Sequence, residues 1–123
     1  MGSPEATALI AAWAKPRTNV SIIPTVRPQL YLSALARADF LIGNSSSGIY
    51  EAPALGCPVV NVGDRQKGRP YPTNVFDVEL VPETIARVIK MVWRQPGAKA
   101  THPFGDGNAA PRIVEVLKSV LSA

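Results

Sequence analysis

Three consecutive serines, Ser45 to Ser47, stand between Gly43 and Gly48 in the stretch FLIGNSSSGIYEAP. They follow an apolar run and precede residues able to form a helix. Hydroxyls and small residues at such a junction have three uses. They can cradle an anion, because the first amides of a helix lack intrahelical partners and carry partial positive charge. They can present a nucleophile to an acyl group. They can also do no more than cap the helix. Two specific versions fail on the residues. Gly43-x-x-x-x-Gly48 has P-loop spacing, but Ile49-Tyr50 replaces the Lys-Ser/Thr pair that would hold phosphate and magnesium. The G-x-S-x-G hydrolase pattern fails because Ser47 occupies the second glycine position. A triad would also need a base, and the only histidine, His102, lies far along the chain beside a proline. An anion cradle and a plain cap remain.

Two neighbours add weight to a ligand. Glu51 falls one helical turn past Ser47, at the edge of the same site. A carboxylate there repels phosphate, yet it can accept hydrogen bonds from two adjacent hydroxyls, the way nucleotide-binding folds grip ribose. It can equally serve as a favourable charge in the first turn. The next apolar run then delivers Asp64-Arg65, whose guanidinium can reach the same anion. Diphosphate plus ribose describes a nucleotide.

The elements that must position these residues follow from pattern. Ser3 with Pro4 opens a helix whose Ala6, Leu9, Ile10 and Trp13 share one face. VSIIP, residues 20–24, is short, β-branched and bounded by turn residues, which predicts a strand. Leu30, Ala34, Leu35 and Ala38 mark a second helix. FLIGN predicts a buried strand, and Ser47 to Leu55 a helix stopped by Gly56. PVVNVG is apolar on both faces, as strands of parallel sheets are, and NVFDVE predicts a further short strand. Ile85, Val88, Ile89 and Val92 recur at helical spacing behind Pro82. Ile113, Val116, Leu117, Val120 and Leu121 form a last amphipathic helix, with Asn108 at its cap. Strands alternating with helices imply a mostly parallel sheet of about four strands in a three-layer α/β sandwich. No internal repeat or long linker divides the chain, so 1–123 is expected to be one domain.

Composition sets outer bounds. At 123 residues, with 46% apolar and 18% charged side chains, the chain reads as a soluble globular protein. No apolar run approaches bilayer length, and the N-terminus shows no secretory pattern, so the cytoplasm is the expected compartment and no membrane partner is expected. The single cysteine, Cys57, excludes an internal disulfide and a cysteine-based metal site. A buried structural thiol is the expectation there, since nothing basic adjoins it. The net charge of +4 suits an anionic ligand. Its densest basic cluster, DRQKGR, is too small for nucleic-acid binding.

The segments IGNSSSGIYEAPALGCPVVNVGDRQKGR, NVFDV and FGDGNAAPRIVEVL together resemble the C-terminal half of the hydrolysing UDP-N-acetylglucosamine 2-epimerases of the sialic-acid pathway. The resemblance runs from about Pro4 to the C-terminus. It implies a glycosyltransferase-B-like architecture, two Rossmann-type halves with a UDP-sugar in the cleft between them. By the motif match, Ser45 and Ser46 would hold the diphosphate above the amide of Gly48. Glu51 would bind the ribose hydroxyls, Arg65 would approach the nucleotide, and backbone near Val26 would face the uracil ring. No cofactor, metal or catalytic residue is implied within this chain. The family's acid/base carboxylates belong mostly to its N-terminal domain, so the chain alone is expected to bind UDP or a UDP-sugar without hydrolysing it. The first two strands of the C-terminal half are unmatched too, and in the order 3-2-1-4-5-6 these are central. VSIIP is therefore expected either to pair directly with FLIGN or to leave sheet edges open for a second copy, making a homo-oligomer. A stand-alone oligomeric nucleotide-binding or interaction module is the alternative.

Overall fold

The computed structural model describes residues 3–93, 101 and 103–122, so His102 and most of the loop before it lie outside the described residues. The chain divides into two compact units, Met1–Leu30 and Tyr31–Ala123.

The first unit holds helix α1 (Pro4–Ala14). Its start is the expected one: Pro4 stands in the first turn, and the Ser3 hydroxyl accepts from the Ala6 amide at 3.2 Å. The stripe formed by Leu9, Ile10 and Trp13 is exposed. Arg17 lays its guanidinium over the Trp13 ring, 4.2 Å from the centroid, and donates to the Trp13 carbonyl. Residues 20–24, the predicted strand VSIIP, form no ladder. This corrects the expectation of a fourth strand and of direct pairing with FLIGN. β-branched residues favour a strand only where a neighbour takes up their backbone hydrogen bonds, and no described strand does so. Helix α2 (Pro28–Leu35) then leads into the second unit.

That second unit is built on a parallel three-stranded sheet of β1 (Leu41–Gly43), β2 (Val59–Val62) and β3 (Val75–Val78), in the order β1-β2-β3. Register sorts the side chains by face. Leu41, Val59 and Val75 align and pack with Leu35, Ala52, Cys57 and Tyr31. Val60, Val62, Phe76 and Val78 point the other way, onto Ile85, Val88, Ile89 and Val92 of helix α4 (Pro82–Trp93). The result is a three-layer α/β sandwich of Rossmann-like type.

The predicted helix from Ser47 to Leu55 is split. Helix α3 covers Ser47–Tyr50, and Pro53–Leu55 forms a single 3-10 turn. Pro53 cannot donate the amide that would continue the first segment. Gly56 ends the second at φ +76°, as the sequence anticipates. The last helix, α5 (Ala109–Leu121), keeps its apolar face exposed. Asn108 occupies its cap position but makes no side-chain cap bond; Asp106 accepts from the Asn108 amide instead. Among the described residues no helix is long and apolar enough to cross a membrane.

Candidate functional site

The serine turn lies at the carboxyl end of β1, where open parallel sheets present their loops to ligands. Its hydrogen bonds separate the three serines. The Ser47 hydroxyl is half-buried and shares a hydrogen bond of 2.8 Å with the Tyr31 hydroxyl from α2. Ser45 and Ser46 are exposed. The Ser45 hydroxyl accepts only a long contact, 3.4 Å, from the Ser47 amide. The amides of Ser45 and Ser46 meet no acceptor among the described residues. The Gly48 amide, by contrast, donates to the Ser45 carbonyl at 3.0 Å. Gly48 itself is buried, and a Cβ there would stand 2.9 Å from Val59 Cγ1. Its smallness lets α3 sit down on β2.

Glu51 closes α3, with its amide on the Ser47 carbonyl at 3.1 Å and its side chain exposed. Ser45, Ser46, Gly48 and Glu51 thus share one turn. Arg65 follows the carboxyl end of the neighbouring strand β2 and is exposed, with no hydrogen bond or ion pair to the turn among the described residues. Val26 is a half-buried residue of the first unit, ahead of α2.

Three contacts that organise this end of the sheet involve residues to which the sequence reading gave no role. Gln66 Nε2 donates to the Asn44 carbonyl at 2.7 Å, tying the loop after β2 to the loop after β1. Arg69 donates to the Tyr50 hydroxyl at 3.0 Å and lies 5.4 Å from that ring's centroid. Phe104 meets the same ring at 4.6 Å, so the FGDGN segment also reaches α3. The basic cluster DRQKGR was visible in the sequence, yet its contact with α3 runs through Arg69 rather than Arg65.

Beside the turn, a crevice of about 510 Å³ opens at the carboxyl ends of β2 and β3, lined by Gly63, Asp64, Lys67, Tyr71, Asp77 and Glu79 among others. Buried Asn61 donates to the Asp77 carboxylate at 2.7 Å. Loss of solvent, and then the adjacent Asp77 carboxylate that it hydrogen-bonds, push the Tyr71 hydroxyl above its ordinary range. The Cys57 thiol is also pushed up by burial, which leaves it protonated and without a nucleophile's character.

A parallel, three-layer sheet with its polar turns gathered at the carboxyl strand ends defines a Rossmann-like α/β protein. The UDP-N-acetylglucosamine 2-epimerase family model matches residues 2–118, and the chain belongs to that family. It is 35% identical over 102 residues to the UDP-N,N'-diacetylbacillosamine 2-epimerase (hydrolyzing) of Legionella pneumophila, covering 83% of this chain and 27% of that protein. It is also 35% identical over 112 residues to the UDP-N-acetylglucosamine 2-epimerase of Escherichia coli K12, covering 82% and 30% respectively. A shorter match, 52% identical over 52 residues, joins it to the GDP/UDP-N,N'-diacetylbacillosamine 2-epimerase (hydrolyzing) of Campylobacter jejuni, covering 42% of this chain and 14% of that protein. The chain therefore spans less than a third of the length of these relatives.

Proposed function

We propose that this chain is the UDP-binding portion of a hydrolysing 2-epimerase that converts UDP-N-acetylglucosamine to N-acetylmannosamine and UDP. The observation that carries the reading is the turn after β1. It leaves the amides and hydroxyls of Ser45 and Ser46 open to an anion, with the exposed Glu51 carboxylate one helical turn further on. In this reading Ser45 and Ser46 hold the diphosphate and Gly48 seats the turn on the sheet. Glu51 takes the ribose hydroxyls, and Arg65 adds an exposed positive charge. Donors fixed near the diphosphate favour the charge that develops on UDP as it leaves the sugar. The same groups would bind UDP in the absence of chemistry, and the chain by itself is expected to bind without hydrolysing.

The test is thermal unfolding of the purified chain during UDP titration. Binding to the folded state alone raises stability by about 2.7 kcal/mol at a hundred times the dissociation constant. A melting temperature that climbs with UDP supports the reading, and one that stays flat to roughly millimolar UDP overturns it.

A second reading, self-association through the sheet edge, is favoured by β1. It has a neighbour on one side only among the described strands, and its Ile42 side chain is 45% exposed. An open edge with an apolar side chain is a template for another strand. Sedimentation velocity across a wide concentration range should show a dimer or larger species. A single monomeric boundary at the highest concentration would remove this reading while leaving the nucleotide site untouched.

A further inference from the structure

Gln66 is out of keeping with its loop. Its neighbours Arg65 and Lys67 are exposed, whereas Gln66 is only 2% exposed. Its Nε2 donates to the Asn44 carbonyl at 2.7 Å, while its Oε1 is sealed from solvent without a donor among the described residues. A buried carboxamide with an unpaired oxygen weakens a fold, and an apolar side chain of similar size avoids that cost. What the amide alone supplies is an N–H aimed at Asn44, the residue immediately before Ser45. At the other side of the serine run, the Tyr31 hydroxyl holds Ser47 at 2.8 Å. The turn is thus tied at Asn44 and at Ser47, and the amides of the two residues between them, Ser45 and Ser46, are open.

We propose that Gln66 is a positioning residue for the diphosphate. It fixes the chain at Asn44 so that the donors of Ser45 and Ser46 are held in place before the ligand arrives, which spares the ordering cost of binding. The inference rests on the UDP reading given above. It assigns Gln66 no contact with the nucleotide. The retained cost of its unpaired oxygen is the mark of a residue kept for the site rather than for stability.

Gln66→Met keeps the volume, removes the donor and removes the unpaired oxygen. Gln66→Glu keeps the shape and removes the donor. Both are made in the full chain and compared with the unsubstituted protein by melting temperature and by NMR titration with UDP and with uridine, which lacks both phosphates. The Met variant is expected to melt within a few degrees of the parent, because one lost hydrogen bond is offset by one unpaired acceptor removed. Both variants should bind UDP about tenfold more weakly, the equivalent of one hydrogen bond at the upper end of its usual worth. Uridine binding should be unchanged, so discrimination between the two ligands falls. Unchanged UDP affinity in both variants overturns the proposal. So does a proportional loss of UDP and uridine, or loss of cooperative melting in both, since either makes Gln66 a general structural residue. If the parent chain itself binds no UDP, the nucleotide reading fails and this inference falls with it; if the parent binds and the variants match it, only the role of Gln66 fails.

Discussion

Glu51→Ala is expected to weaken UDP binding by about a hundredfold, or about 2.7 kcal/mol. A carboxylate that accepts two ribose hydroxyls makes two charge-assisted hydrogen bonds, each worth ~1.5–3 kcal/mol. The lower end applies because Glu51 is exposed, so water competes for the same oxygens. The substitution should leave the melting temperature of the unliganded chain nearly unchanged, since the bonds Glu51 makes are backbone ones, its amide to the Ser47 carbonyl and its carbonyl from the Leu55 amide. Glu51→Gln keeps one acceptor oxygen and loses the charge, and an intermediate loss of roughly tenfold is expected. The ligand supplies an independent check. In the unsubstituted chain 2'-deoxy-UDP should bind more weakly than UDP, whereas in Glu51→Ala the two should bind alike. Equal affinity for UDP and 2'-deoxy-UDP in the unsubstituted chain would remove Glu51 from the ribose and leave it as a charge in a short helix.

The elements on which this site rests were legible in sequence for a local reason. β2 is buried along nearly its whole length, and the sheet has a packed cluster on each face, so its strands read as short, mainly apolar, β-branched runs bounded by glycine or polar turns. The helix α4 repeats Ile85, Val88, Ile89 and Val92 at helical spacing because one stripe of it meets β2 and β3. The serine turn was legible for the same reason, as composition concentrated within six residues. Failures came where distant partners decide the outcome. VSIIP has strand composition, but a ladder depends on a neighbour that local pattern cannot supply. The stripes of α1 and α5 are correct as helices, yet periodicity does not say what would cover Leu9 or Leu117, and both are exposed. Gln66 to Asn44, Arg69 to Tyr50 and Tyr31 to Ser47 span 22, 19 and 16 residues. No short-range pattern marks such pairs. Gln66 in particular stands in a run of charges that reads as a solvated loop, and only the fold shows that it faces inward.

Gly48→Ala is expected to destabilise the chain by about 1–2 kcal/mol, and Val59→Ala in the same molecule should recover much of that loss. The added Cβ would lie 2.9 Å from Val59 Cγ1 and 3.8 Å from Leu41 Cδ2. Val59 is buried in the central strand, between Leu41 and Val75 in register, and its β-branched side chain has little rotamer freedom with which to yield. Overpacking of this kind costs ~1–3 kcal/mol, against a helix-propensity gain of at most about 1 kcal/mol for Gly→Ala. Val59→Ala alone should cost about 2 kcal/mol through lost burial and the space it leaves. In the double variant the methyl added at position 48 enters the space vacated by Cγ1. The two changes should therefore couple favourably by ~1 kcal/mol or more rather than add. Denaturant titration of the four proteins measures that coupling. The same four report on the ligand. Ser45 and Ser46 sit on the turn that Gly48 lowers onto β2, so Gly48→Ala should weaken UDP and the double variant should regain part of it. If the stability losses simply add while UDP binding still falls in Gly48→Ala, contact with Val59 is not what requires a glycine. Close approach of the ligand to the backbone would then be the requirement that Gly48 meets.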